Sequence, residues 1–217
     1  MIKKIIYELK EHSPFTLLGA LIGIIFMMMF KNMPYEASHR LFYIFHPLHV
    51  FLSAIVTTAL FCRYQPKEKI SGIHLWKVLV VGLVGSIGIG TLSDSVVPFW
   101  GEILLDMPHR HIHIGIIEEP WIISLSALAG IVLAYFKPST KHPHAGHVLV
   151  STWASLFHML MASSHSETTP YFGIFIFLFL AVWVPCCLSD IIFPMLFAGD
   201  VNASNPCDCC GSKEKKK

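Results

Sequence analysis

Six apolar stretches, each near the length that crosses a lipid bilayer, decide what this chain can become. They run over Pro14–Phe30, Phe42–Phe61, Leu75–Pro98, Pro120–Phe136, Gly146–Ala162 and Tyr171–Phe197. A hydrocarbon core ~30 Å thick takes roughly 20 predominantly apolar residues of helix. Lipid offers no partner to an open backbone amide, so each stretch is predicted to be helical. Only 14% of the 217 residues are charged, against about 25% in an ordinary soluble domain. The expected fold class is an all-α polytopic membrane protein of about six transmembrane helices. Lys3, Lys4 and Lys10 precede the first run as they would in a signal peptide. That run ends in Phe30-Lys31-Asn32-Met33-Pro34, without a small-x-small cleavage site, and reads as a retained span.

Charge then orients the chain. With the N-terminus in the cytoplasm, thirteen of the sixteen Lys and Arg residues fall on the inner side, and only Lys31, Arg40 and Arg110 outside. That bias is the positive-inside pattern. It places both termini in the cytoplasm of a multi-pass protein, expected in the plasma (inner) membrane. The outer side is instead rich in acid and imidazole, including Glu36, His39, Glu102 and Asp106. Because the lysines follow topology and form no single patch, a nucleic-acid partner is excluded. Nor do the six cysteines make a disulfide framework. Cys186 and Cys187 fall in the last span, and Cys207, Cys209 and Cys210 in a reducing inner tail.

The chain also repeats itself. His46-Pro47-Leu48-His49-Val50-Phe51-Leu52-Ser53 and His144-Ala145-Gly146-His147-Val148-Leu149-Val150-Ser151 share H-x-x-H-V-x-x-S at an offset of 98. Leu92-Ser93-Asp94 and Leu188-Ser189-Asp190 each open L-S-D-x-[VI]-x-P, at an offset of 96. Two polar motifs of different chemistry recur in the same order, which points to a duplication. Three spans per half is odd, so the second half enters the membrane inverted. The expected organisation is a 3+3 inverted repeat: a first three-helix unit over 1–105, a His-rich outer loop over 106–119, a second unit over 120–200, and a Cys/Lys tail over 201–217. Inverted repeats of this kind are frequent in secondary transporters, with the working site near the repeat interface.

Histidines at i and i+3 share one face of a helix, a spacing that suits two ligands of one ion. The topology puts His46, His49 and Asp94 at the outer level, and His144, His147 and Asp190 at the inner one. Two imidazoles and a carboxylate suit Zn²⁺, Fe²⁺, Mn²⁺, Co²⁺ or Ni²⁺. The competing reading makes the histidines interfacial polar residues and the aspartates helix ends, since a proline follows each four residues later. His109, His111 and His113 alternate in the outer loop, followed by Glu118 and Glu119. They form either a capture site with further metal ligands or a solvated loop. His158, within the fifth span, is a ligand, a proton acceptor or a buried hydrogen-bonding residue. The Cys207/Cys209/Cys210 tail reads as a metal-handoff segment, a lipidated cluster or a disordered end. Gly82, Gly85, Gly88 and Gly90 read as a close helix-packing face; no phosphate loop or dinucleotide fingerprint is present.

The leading expectation is a transporter of a divalent transition-metal ion, which passes between two His/Asp clusters on opposite membrane sides. An enzyme is the less favoured reading. A membrane-embedded oxygenase- or hydrolase-like metalloenzyme would gather its ligands at one level. A non-catalytic membrane subunit would use the same polar residues to bind partner helices. The expected partners are the metal ion and the lipid bilayer, and the repeat leaves room for a homodimer.

Overall fold

The computed structural model describes residues 2–64, 75–136, 141–163, 170–187, 193 and 197. Among them the secondary structure is helix without strand. Helix α1 covers Ile2–Met29, α2 covers Tyr35–Tyr64, and α3 runs over Leu75–Leu104. A loop leads to the single turn α4, Gly115–Glu118. Then come α5, Pro120–Phe136, α6, Lys141–Ser163, and α7, Tyr171–Cys187. Pro120 opens α5, where its missing N–H costs nothing. By length and composition, Tyr35–Cys62 and Leu75–Leu104 can each cross a membrane, and Thr16–Met29, α5 and α7 are apolar but shorter.

The helices outrun the apolar stretches that predict them. Helix α2 begins seven residues before Phe42, its first turn accepted by the Pro34 carbonyl through the N–H groups of Ala37 and Ser38. That extension matters later, because it moves His46 and His49 from the start of a helix toward its middle.

Helix α2 is the hub of the bundle. Helices α6 and α5 pack along it and α3 closes a third side, while α1 and α7 pack on one another and on α6. The largest core cluster lies among α1, α6 and α7, around Phe157, Leu160, Ile174 and Leu178. Glycine sets the closest approach of α5 to α2: a β-carbon at Gly130 would stand 2.4 Å from the Phe51 carbonyl oxygen. Gly82, Gly85 and Gly90 likewise face Thr58, Thr57 and Val50 of α2, whereas Gly88 meets nothing within 4 Å.

Helix α3 is not a regular α-helix. It widens into π-helical turns at Val84–Gly88 and Leu92–Val96. Such turns insert a residue into the helical repeat and are frequent at functional sites. The second one carries Ser93, Asp94 and Ser95, three consecutive polar side chains that are all fully buried.

Candidate metal centre

The centre is built outward from one face of α2. Tyr35, His39, Tyr43, His46, His49, Ser53 and Thr57 recur at intervals of three or four residues, so they form one stripe. From His46 onward the stripe is completely buried. Pro47 stands inside the helix between the two histidines, withholding one backbone hydrogen bond there.

Asp94 meets both imidazoles with a single oxygen. Its Oδ2 accepts from His46 Nδ1 at 2.9 Å and from His49 Nδ1 at 2.6 Å. The other oxygen, Oδ1, accepts from Ser93 Oγ at 2.5 Å and Ser151 Oγ at 3.1 Å. Two donors on one tetrahedral ion with bonds of 2.0–2.1 Å stand roughly 3.3 Å apart. The spacings here are hydrogen-bond spacings. The carboxylate therefore fixes both rings in the Nδ1–H tautomer, as an outer-shell partner does for metal-binding histidines. What remains on each ring is the Nε2 lone pair. Both Nε2 atoms are buried and have no hydrogen-bond partner among the described residues.

Those two nitrogens face different surroundings. Beside His46 Nε2 lies Gly115 of α4, whose missing β-carbon would stand 2.5 Å from it. The His49 ring stacks on His147 of α6, centroids 4.6 Å apart and planes 25° apart. Cys186 of α7 joins them, its Sγ 3.9 Å from His147 Nε2. One donor atom from each of His49, His147 and Cys186 lies within 4.8 Å of the others, and the three residues are buried. Pro185 precedes the thiol inside α7, so α2 and α7 each carry a proline near the centre and α3 a π-helical turn.

The sequence reading sets His49 and His147 in clusters at opposite membrane levels, whereas the structure brings these two rings together. The apolar stretch beginning at Phe42 understates α2, which starts at Tyr35 and puts His49 halfway along a 30-residue helix. Helix α6 likewise starts at Lys141, two turns before His147.

A second polar cluster sits where the 105–114 loop covers the bundle. His113 is buried, with Nε2 3.2 Å from the Tyr35 hydroxyl and Nδ1 3.3 Å from Glu118 Oε2. The Tyr43 hydroxyl also donates to Glu118 Oε2. His39 lies edge-on to His113, and His111 packs beside it at 4.7 Å. His39, His113 and Glu118 offer donor atoms within 4.8 Å of one another. Burial holds the His113 imidazole below its usual range, against the pull of Glu118. Burial works to raise the Glu118 carboxyl, but hydrogen bonds from Tyr43 and His113 outweigh it and hold it low.

His158 lies between the clusters with both nitrogens engaged. Its Nδ1–H donates to Glu102 Oε1 at 2.6 Å, and Nε2 accepts the His113 N–H at 3.3 Å. With the His109 N–H donated to the Ala162 carbonyl, it ties the loop to α6. Of the predicted residues, His46, His49 and Asp94 are thus brought together, and so are His113 and Glu118. His109, His111 and Glu119 are exposed at the loop. The His144 side chain, Asp190 and the Cys207/Cys209/Cys210 tail lie outside the described residues.

Sequence reading missed Cys186, His39, and the serines that clamp Asp94. Of these, His39 had a legible signal, standing seven residues before His46 on the same helical stripe. Comparison with protein families, with curated proteins and with solved structures finds no match to this chain. The buried His/Asp/Cys groups could hold a metal ion, and their chemistry alone carries that statement.

Proposed function

We propose that the chain is an integral membrane protein that conducts a divalent transition-metal ion along the polar face of α2. One observation carries this reading: donor clusters follow one another down a single helix face, from His39/His113/Glu118 through His46/His49 to His147/Cys186. From Tyr35 to Thr57 that stripe covers 22 residue steps, or about 33 Å of helix, close to the thickness of a hydrocarbon core. Exposed aromatics near helix ends support a membrane setting: Trp100 and Trp121 at one end, Trp76, Tyr135 and Phe136 at the other.

An inverted duplication is part of the proposal, and the helix packing supports it. Exchanging α1, α2, α3 with α5, α6, α7 converts the α2–α5 pair into α6–α1, α2–α3 into α6–α7, and α1–α7 into α5–α3. Among the principal pairs of described residues, α3–α6 alone lacks a counterpart. In this reading His49 and His147 are each other's copies, and their contact supports a centre at the interface of the halves, where repeat-built transporters hold their cargo.

The same contact favours a second reading. A metalloenzyme collects its ligands at one level, as His49, His147 and Cys186 are collected here. Purified protein in proteoliposomes separates the two. Transport predicts uptake of Zn²⁺ or Co²⁺ that Asp94→Asn slows at least tenfold. A resident centre predicts one firmly held equivalent of metal per chain and no uptake above that of empty vesicles, which would defeat the transport reading.

A further inference from the structure

We infer that the ion is held by His49 Nε2, His147 and Cys186 Sγ, with Asp94 as a positioning residue rather than a ligand. The inference rests on the metal-binding reading above and specifies its donor set, and through that its cargo.

The argument starts with the hydrogen bonds of Asp94. Four donors already use its two oxygens: the two Nδ1–H groups on Oδ2 and the hydroxyls of Ser93 and Ser151 on Oδ1. An ion placed on Oδ2 would have to displace both imidazoles. His46, His49 and Asp94 also offer donor atoms within 4.8 Å of one another, but an ion there would compete with these hydrogen bonds. His46 Nε2 has the Gly115 backbone beside it, which leaves no room for further ligands. His49 has His147 and Cys186 within ligand range. Its Nε2 is buried without a partner among the described residues, a cost that a ligand would relieve.

The donor set is therefore two imidazoles and one thiolate. Binding breaks the Cys186 S–H bond as the sulfur–metal bond forms, and the proton leaves to solvent. His49 stays neutral, its Nδ1–H on Asp94 and its Nε2 lone pair on the ion. Nitrogen and sulfur together select Zn²⁺ and Co²⁺ over Mn²⁺, Mg²⁺ and Ca²⁺, which prefer oxygen. Three protein ligands also leave a fourth tetrahedral position open, as a site that passes its ion onward requires.

Cobalt titration of the full-length protein in detergent tests this, because a thiolate ligand gives Co²⁺ an intense charge-transfer band in the ultraviolet. A variant with Cys207, Cys209 and Cys210 changed to serine removes the tail thiols from the measurement. Parent and tail variant should bind one Co²⁺ per chain with that band. Cys186→Ser should lose the band, and Cys187→Ser and His46→Gln should keep it. Asp94→Asn should keep it too, with Co²⁺ affinity 10–100-fold lower, the usual effect of losing an outer-shell partner. His49→Gln should weaken binding further. Should Cys186→Ser misfold, Cys186→Ala reads the same band.

Survival of the band without Cys186, or its loss in Cys187→Ser alone, overturns the inference. So does an Asp94→Asn or His46→Gln effect equal to that of His49→Gln, which would make the Asp94 cluster the binding site. Cobalt bound by the parent without a thiolate band refutes this donor set and leaves metal binding standing. A parent that binds no Co²⁺ removes both. A band that behaves as expected, without uptake in vesicles, removes transport alone.

Discussion

The two histidine clusters differ less in composition than in what their nitrogens are doing. At the loop end, His113 uses both ring nitrogens, on Tyr35 and on Glu118, and Glu118 is partly exposed. Halfway along α2, His46 and His49 use one nitrogen each, and the other is buried without a hydrogen-bond partner among the described residues. A folded protein rarely leaves a fully buried polar atom unmade. Two such atoms, on rings clamped by a single carboxylate, mark the central cluster as the one prepared to receive something. At the loop, His113 and Glu118 already have partners. On the proposed reading the difference makes the centre the tighter site and the loop cluster a weaker station that also ties the loop down.

The largest effect should come from the centre. His49→Ala is expected to lower Zn²⁺ affinity by more than the 10–100-fold of an outer-shell change, as measured by competition with a chromophoric chelator. His113→Ala should leave that affinity nearly unchanged, and an equal loss in both variants would erase the contrast.

Next comes the joint between the regions. Gly115→Ala would drive a methyl group into the His46 ring, to within 2.5 Å. Overpacking of this kind costs about 1–3 kcal/mol, visible as a lower Tm in detergent. Gly88→Ala meets open space and should gain up to about 1 kcal/mol from helix propensity. A Gly115→Ala variant as stable as the parent would mean that loop and centre are not pressed together.

A smaller change is expected at the loop. Glu118→Gln keeps an acceptor for Tyr43 but removes the charge beside His113. It should slow uptake at low metal concentration about fivefold, the equivalent of ~1 kcal/mol, without altering cobalt binding at the centre.

Acid should act on the loop most gently and over a broad range. The folded His113 has a lowered pKa, so below about pH 6.5 the undocked loop takes up the proton first, and docking weakens as pH falls. Glu118, also lowered, contributes stability above its ordinary range that is lost as pH falls through its folded pKa. Both signs agree. Relative to a free cysteine peptide labelled at the same pH, which corrects for the fall in thiolate, labelling of a cysteine placed at Ile112 should accelerate progressively from pH 7 to pH 4, and a flat ratio would contradict the assignment.

Much of the helical architecture was legible because apolar length is a one-dimensional signal. Leu75–Pro98 and Pro120–Phe136 need no partner to be recognised. Helix ends were less legible: polar residues such as Tyr35, Glu36 and His39 extend α2 beyond its apolar run, and the resulting shift of two turns misplaced His49 relative to His147. The His46/His49/Asp94 grouping could be anticipated from spacing and topology. The contribution of Cys186 could not, because a thiol in an apolar helix carries no periodic signature and its relevance depends on how α7 leans on α6. The pairing of Asp94 with Ser151 depends likewise on a π-helical turn at Leu92–Val96 that local sequence does not announce.

The contact between Gly115 and His46 has a mechanical consequence. A seam that cannot admit one methyl group cannot admit a cation with its water shell. On the transport reading, an ion that reaches the His46 ring along this seam therefore requires α4 to lift away from α2. The same reading puts the movable part in the loop that His158 and Ala162 hold against α6.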